Sequence, residues 1–336
     1  MESNTKLRLA IVGYGNIGQR HYLVSQPWFE TVCICDVNTD AHNLEDDNIR
    51  WYTELDQMLI KESHNVDVIS IATPNHMHYE QTIKAFDHNL NVLVEKPMAL
   101  REEDCLEMIR RSEEVNRRLF VVKQNRFNPP VQEIKERLNR GELGEITQVH
   151  LSCYWNRNSG YYESDWRGSI ERDGGILYTQ FSHFIDLLIY LVGPIRNAKT
   201  LTVNSLHPYI EIEDSVSSIF EFNNGVLGTG SFSINAHSNN YEGAIILICE
   251  KGTLKIGGKY LNKIEYFKGD GETPNMEEFI KPNTYSGYSG SMSNHDRVYQ
   301  NVYEVLSENT RITTTHIDGL LTVRAIELMY KNIVKW

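Results

Sequence analysis

Long apolar runs are missing from this chain of 336 residues. Nothing approaches the roughly 18 consecutive apolar residues that a membrane-crossing helix requires. No basic N-terminal segment leads into an apolar core, so an export signal is not expected. Positive charge is in deficit, with 33 Lys and Arg against 45 Asp and Glu and a formal net charge of −12. That balance argues against nucleic acid or an anionic membrane as partner, while leaving room for a small anionic ligand held by a local cluster. Cysteine is scarce: Cys33, Cys35, Cys105, Cys153 and Cys249 are odd in number and scattered. Cys33 and Cys35 share one face of an expected strand, but no third ligand follows at metal-site spacing. Buried free thiols in a reducing, cytoplasmic setting are therefore expected, with no metal site. Repeats and low-complexity tracts are absent as well, and the length suits two ordinary domains.

What is present begins with an apolar strand over residues 6–12 that ends in Gly13-Tyr14-Gly15-Asn16-Ile17-Gly18. A GxGxxG that follows a strand and opens a helix has the context of a dinucleotide turn. The first glycine permits the tight turn, the second lets backbone approach a pyrophosphate, and the third lets helix pack on strand. The helix N-terminus then offers unpaired N–H groups to the phosphates. A second strand, 31–35, delivers Asp36, whose carboxylate can accept from a ribose 2′-hydroxyl and repels a 2′-phosphate, which favours NAD. The apolar run 66–71 leads to Thr73-Pro74-Asn75 and a helix over 76–86, with Asn75 as N-cap and the loop flanking the dinucleotide. Residues 92–94 form a buried strand that stops at Glu95-Lys96-Pro97. Ligands of open α/β sheets sit beyond the carboxyl ends of the strands, so Lys96 is delivered beside whatever the glycine turn holds. A helix over 101–116 and a fifth strand over 119–122 complete a repeated strand–helix alternation, the pattern of a parallel doubly wound sheet.

Beyond residue 124 the pattern changes, giving domains 1–124 and 125–336. Strands over 146–155, 198–205, 216–222, 226–234, 244–249 and 253–256 are separated by turn residues, among them Asn223-Asn224-Gly225. This predicts an α+β domain with a large, predominantly antiparallel sheet. Residues 269–294 are rich in turn residues and read as an ordered loop or lid. Helices are expected over 296–306 and 317–334. Asp173-Gly174-Gly175 introduces one further helix, 176–191, on which Thr179, His183 and Asp186 fall at i, i+4 and i+7. Three polar groups on one face of an otherwise apolar helix imply a face lining a cleft. Histidine suits proton transfer near neutral pH. Upstream, Tyr154-Trp155-Asn156-Arg157 and the stretch from Tyr161 to Arg167 mix aromatic faces with guanidinium groups, a combination suited to sugars and phosphates.

In that order, Gly13-x-Gly15-x-x-Gly18, Thr73-Pro74-Asn75-x-x-His78, Glu95-Lys96-Pro97 and Gly174-Gly175 followed by His183-x-x-Asp186 resemble the Gfo/Idh/MocA oxidoreductases across nearly the whole chain. The resemblance implies a Rossmann domain, NAD(P) at its junction with the sheet domain, and hydride transfer on a sugar, cyclitol or nucleotide sugar. It implies Lys96 and His183 as catalytic residues. Many members carry an aspartate four residues before that histidine, where this chain has Thr179; threonine cannot act as a carboxylate base, so Thr179 is expected to assist by hydrogen bonding. Glu95, His78, Trp166 and Arg167 join the expected cofactor set. Tyr154 to Arg157, Trp166-Arg167-Gly168 and Gly287 to His295 look most like the surface-polysaccharide branch, which acts on UDP-N-acetylamino sugars or their uronic acids. On that basis Lys96, Arg157, Tyr161, Thr179, His183, Ser291, Asn294 and His295 are expected to meet substrate. A homo-oligomer, dimer or tetramer, is expected by family analogy. Two alternatives stand beside the nucleotide-sugar dehydrogenase: an enzyme acting on a free sugar or inositol, and a non-catalytic dinucleotide-dependent regulator.

Overall fold

The structure is a computed structural model that describes residues 6–38, 40, 44, 46–279, 282–285 and 288–334. In chain order the elements are Leu7–Val12 (β1), Asn16–Ser25 (α1), Phe29–Cys35 (β2), Arg50–Tyr52 (β3), Leu55–Glu62 (α2), Val68–Ile71 (β4), His78–Asp87 (α3), Asn91–Val94 (β5), Glu102–Glu114 (α4) and Leu119–Val121 (β6). There follow Pro129–Asn139 (α5), Ile146–Tyr154 (β7), Ile176–Thr179 (α6), Ser182–Val192 (α7), Ile195–Val203 (β8), Ser215–Phe222 (β9), Leu227–Ser233 (β10), Glu242–Cys249 (β11), Gly252–Gly257 (β12) and Lys263–Gly269 (β13). Pro282–Tyr285 (β14), Tyr288–Met292 (β15), His295–Glu308 (α8) and His316–Lys331 (α9) close the chain. Two compact units result, residues 1–122 with 295–320 and residues 123–294 with 321–336. Sequence pattern alone assigns 295–320 to the later domain; the structure returns it to the first unit. A helix's periodicity shows which face is buried but not against what.

The first unit is built on a six-stranded sheet in the order β3-β2-β1-β4-β5-β6. Every neighbouring pair is parallel. Strands buried on both faces read as continuous apolar runs, and Val92, Leu93 and Val94 of β5 have no exposed surface. Each such side chain contributes about 1.5–3 kcal/mol by burial. The sheet has one strand more than the sequence pattern indicates. Strand β3 is only Arg50-Trp51-Tyr52, too short and too polar to show a period. It is held by its parallel register with β2 and by Glu62, whose carboxylate accepts from Arg50 (2.5 and 2.7 Å) and from the Tyr52 hydroxyl (2.6 Å).

The second unit carries a seven-stranded sheet in the order β13-β12-β11-β7-β10-β9-β8. The β7–β10 pair is parallel and the rest are antiparallel, so the sheet is mixed but mainly antiparallel. Along β9 and β10, Val216, Phe220, Phe222 and Phe232 face the core while Ile219 and Leu227 point out. Edge strand β13, Lys-Ile-Glu-Tyr-Phe-Lys-Gly, shows no clean alternation and was not expected. The stretch read as a lid contains the β14–β15 hairpin; Gly287 lies outside the described residues. No helix among the described residues is long and apolar enough to cross a membrane. All five cysteines are free and buried.

The expected helix 176–191 is two helices. The Phe181 N–H reaches back five residues to the Ile176 carbonyl (3.1 Å), and α7 starts afresh at Ser182. The Phe181 ring packs on Trp155 and Phe232, with centroids 5.7 and 5.6 Å apart, which accounts for the break. Thr179 and His183 therefore do not share one face of a continuous helix. Asp186 does share the His183 face of α7, but it is buried in a clamp. Arg126 donates to both its oxygens (2.8 and 2.7 Å), Lys123 Nζ lies 3.2 Å away, and the Thr322 hydroxyl donates at 3.2 Å. Burial would raise the pKa of Asp186, but the two cations hold it down at about 2. Removing one partner of a buried ion pair leaves the others uncompensated. Asp186→Ala should therefore cost roughly 3–5 kcal/mol, read in a urea titration of the purified protein. A midpoint unchanged from the unmodified chain would show that the clamp contributes nothing.

Candidate functional site

In the first unit the sheet order reverses between β1 and β4, and ligands of doubly wound sheets bind where that happens. The glycine turn leaves β1 there, with the Gly13 N–H bonded to the Cys35 carbonyl (2.8 Å) and the Ala72 N–H to the Val12 carbonyl (2.8 Å). Gly13 has φ +85°, and a Cβ there would lie 2.6 Å from the Ala72 oxygen. At Gly18 a Cβ would stand 1.9 Å from the Gly13 oxygen. Gly15 is different: among the described residues, nothing beyond its chain neighbours lies within 4 Å of the position its Cβ would take. Asn16 and Ile17 begin α1 beside this open space, so its first N–H groups border it. Asp36 is bound into the same turn. Its Oδ2 accepts from the Tyr14 N–H and its Oδ1 from the Asn38 N–H (2.8 Å). Tyr14 is buried edge-on against Trp51, and burial pushes its phenol up to about 12. Open space at the second glycine, a helix start and a carboxylate at the end of β2 together fit a dinucleotide.

Loops after β4 and β5 complete this region. The two ring nitrogens of His78 face the carbonyl oxygens of Pro97 (2.7 Å) and Thr73 (2.9 Å), and burial lowers its pKa. His78, expected to touch cofactor, thus acts as a staple between the Thr73-Pro74-Asn75 loop and the Lys96–Pro97 segment, whose peptide bond is cis. The Thr73 hydroxyl donates to Gln81 (2.6 Å), and Asn75 is buried. Glu95 points inward. Its Oε1 meets His21 Nε2 at 3.0 Å and His295 Nε2 at 3.5 Å, while its Oε2 accepts from the Lys96 N–H (3.0 Å). Burial would raise its pKa, but hydrogen bonding and the two imidazoles hold it well below the usual carboxylate range. The outer nitrogen of His21 is held by Ser70, which also accepts from Tyr299 (2.7 and 3.0 Å). His21, Glu95 and His295 each place one potential ligand atom within 4.8 Å of the other two, a donor set of the kind divalent ions use. His295, expected at substrate, is only 1 % exposed. As the first residue of α8 it turns into the first unit beside Glu95. Lys96 itself is half-buried.

In the second unit His183 and Asp186 face the segment Lys123 to Arg126. Gln124, which pattern reasoning passed over, donates to Ser291 Oγ (2.9 Å), and its amide nitrogen lies 3.2 Å from His183 Nε2. The signal for Gln124 was available, since it follows the carboxyl end of β6 as Lys96 follows β5. Asn294 donates to Asn128 (2.8 Å) and toward the Gln124 carbonyl (3.4 Å). Arg157 lies 4.9 Å from the Trp155 ring and 5.1 Å from the Tyr161 ring, and donates to Asn240 (3.2 Å). Arg167 stands 4.3 Å over Tyr161 and 5.2 Å over Trp166, so both arginines stack on one tyrosine. The Thr179 hydroxyl donates to the buried carboxylate of Asp173, a second residue that sequence pattern missed.

Asp173 and Glu213 bracket the Gly174-Gly175 turn. Glu213 accepts from the Tyr330 hydroxyl (2.5 Å) and the Ile176 N–H (3.0 Å). Burial raises Asp173 to about 6 and Glu213 to about 7. Both values exceed the roughly 4 of an unfolded carboxyl group, so folding takes up protons between them. The resulting stability is fully present below about pH 4 and is lost as pH rises through about 6 and 7. Melting temperature should fall by several degrees more from pH 5 to pH 8 in the unmodified protein than in Asp173→Asn with Glu213→Gln, at roughly 2–4 °C per kcal/mol. Parallel curves would show that neither group titrates in that window. The glycine turn makes a separate prediction. Gly15→Ala should melt within about 1 °C of the unmodified protein yet bind NADH at least about tenfold more weakly, a loss of ~1.4 kcal/mol. Gly18→Ala should lower stability itself. Equal NADH affinity in Gly15→Ala, by fluorescence titration, would remove the pyrophosphate from that space.

Comparison with known proteins agrees with this geometry. Residues 7–123 match the oxidoreductase family with an NAD-binding Rossmann fold, and residues 131–255 match the GFO/IDH/MocA C-terminal domain. An uncharacterized oxidoreductase of Streptococcus pneumoniae is 30% identical over 272 residues, 75% of this chain and 72% of that protein. The WlbA dehydrogenase from Bordetella pertussis, solved with NADH and UDP-GlcNAcA, is 31% identical, with a TM-score of 0.86 over 98% of this chain and 96% of that one. Its counterpart from Chromobacterium violaceum, solved with the same two ligands, is 30% identical, with a TM-score of 0.86 over 99% and 94%. With a nucleotide-binding turn in place and both domains matched, the chain belongs to the Gfo/Idh/MocA family of oxidoreductases and carries its NAD-binding Rossmann fold.

Proposed function

We propose that the protein is an NAD-dependent dehydrogenase acting on a ring hydroxyl of a nucleotide sugar, of the UDP-N-acetylamino sugar or uronate type. The observation that carries this proposal is similarity along the full chain, at about 30% identity, to two dehydrogenases solved with NADH and UDP-GlcNAcA. Arg157 and Arg167, stacked on Tyr161, support it, since guanidinium groups pair with the diphosphate and carboxylate of such a substrate. A bound nicotinamide would supply the hydride acceptor for the carbinol carbon. Lys96 takes the hydroxyl proton, with His183 assisting. Thr179 contributes through its hydroxyl. Asp36 supports NAD over NADP, because its carboxylate stands where a 2′-phosphate would be repelled. The same groups run the reverse reduction. The outward face of the second unit's sheet, with Val203, Ile219, Leu227 and Tyr266 each at least half exposed, supports a homo-oligomer. Light scattering that returns only the monomer mass would remove that part.

Absorbance of NADH at saturating substrate tests the proposal. UDP-N-acetylamino sugars or their uronates should be oxidised with NAD, and Lys96→Ala should lower kcat at least about a hundredfold while NADH affinity survives. Turnover confined to free sugars or inositol would replace the nucleotide-sugar assignment. Near-normal turnover of Lys96→Ala would take Lys96 out of the chemistry, and tighter NADPH than NADH binding would overturn the role of Asp36.

A further inference from the structure

His183, 5 % exposed on α7, faces Gln124, 2 % exposed, and Ser291 lies beside that amide at 8 %. The Gln124 amide nitrogen has two N–H groups and two neighbours, the Ser291 hydroxyl oxygen at 2.9 Å and His183 Nε2 at 3.2 Å. A donor directed at Nε2 requires that this nitrogen be an acceptor, which leaves the ring proton on Nδ1. The amide cannot move as a loose side chain would. Lys123 on one side and Arg126 on the other are both tied to Asp186, one helical turn after His183 on the same face of α7. Asn294 adds a contact to the Gln124 carbonyl. Imidazole and amide are thus brought together by a buried ion-pair cluster that joins their two segments.

Granted that His183 serves the dehydrogenase chemistry proposed above, we propose that Gln124 is its positioning residue. The amide, rather than a carboxylate on the preceding helix, sets the orientation of the imidazole and holds it as the neutral Nδ1–H tautomer. Asp186 acts one step further back, by holding the ends of the Gln124 segment. His183 therefore meets the substrate as an uncharged hydrogen-bonding group. A carboxylate in place of the amide would change that, because it can only accept, and would draw a proton onto Nε2.

The experiment is nitrogen NMR of the full chain labelled at histidine, with His183 assigned from the resonance lost in His183→Gln, run beside steady-state kinetics. In the unmodified protein His183 should show one tautomer, protonated at Nδ1. Gln124→Met, similar in volume, should leave the ring in mixed tautomers and lower kcat about tenfold or more with KM changed less. Gln124→Glu should move the pH at which His183 titrates upward by about one unit or more, and Gln124→Asn should recover part of the lost kcat. Should Gln124→Met not fold, Gln124→Glu carries the test. Identical His183 resonances and titration in all variants would overturn the proposal, as would an Nε2–H tautomer in the unmodified protein. Full activity in His183→Gln would instead remove the catalytic role of His183, while the resonances would still report whether Gln124 orients it.

Discussion

An ionised carboxylate can be buried only where cations and donors meet it, and two such carboxylates stand next to the groups proposed to react. In the first unit Glu95 is met by His21 and by the N–H of Lys96, so the residue after it leaves the core in a set direction. In the second unit Asp186 is met by Arg126 and Lys123, and the helix carrying it presents His183 three residues earlier on the same side. Neither carboxylate needs to touch a substrate to matter. Each is anchored by electrostatics in a setting with little water, where a misplaced charge costs several kcal/mol. Rigid support of that kind holds a reacting group in place, whether on a helix, as for His183, or on a loop, as for Lys96.

The nucleotide-binding turn relies on a different constraint, that of close backbone approach. Gly13 and Gly18 are glycines because the carbonyls of Ala72 and Gly13 occupy the volume a Cβ would need. Gly15 answers to no such neighbour among the described residues, and its open side is consistent with a ligand. His78 then sits between the loops after β4 and β5, its ring nitrogens facing one carbonyl of each and its single N–H, when neutral, donating to one of them. Three successive strand ends are thereby linked by backbone and imidazole contacts.

Local charge and overall charge point in opposite directions. The chain carries a net charge of −12, yet Arg157 and Arg167 converge on one tyrosine in the second unit. Stacking covers the guanidinium faces, and in-plane N–H groups already donate, from Arg157 to Asn240 (3.2 Å) and from Arg167 to the Tyr161 carbonyl (3.2 Å). Nearby, Asp173 and Glu213 are raised chiefly by burial, with the Asp173 charge adding a smaller push on Glu213, so the Gly174-Gly175 turn carries two carboxyl groups that titrate close to neutrality.

Periodicity and turn chemistry were enough to read much of this protein. The alternation through β6, the glycine turn, Asp36, the Glu95-Lys96-Pro97 exit and the antiparallel character of the later sheet are local patterns, set by residues a few positions apart. Other features depend on partners distant in sequence. Strand β3 forms because Glu62 and β2 hold Arg50 and Tyr52, and edge strand β13 has no alternation to read. The helix over Thr179 and His183 breaks at Phe181 because Trp155 and Phe232 claim its ring. His295, grouped by sequence with Ser291 and Asn294, turns to Glu95, some 200 positions earlier in the chain. Gln124 gains its role from His183 and Ser291, neither of them near in sequence. Sequence by itself determined which segments become strands and helices and which residue types could bind a dinucleotide, because those follow from local backbone and side-chain preferences. Tertiary structure alone decided which polar groups face one another, because a buried charge or amide is satisfied by whatever the fold brings within about 3 Å of it.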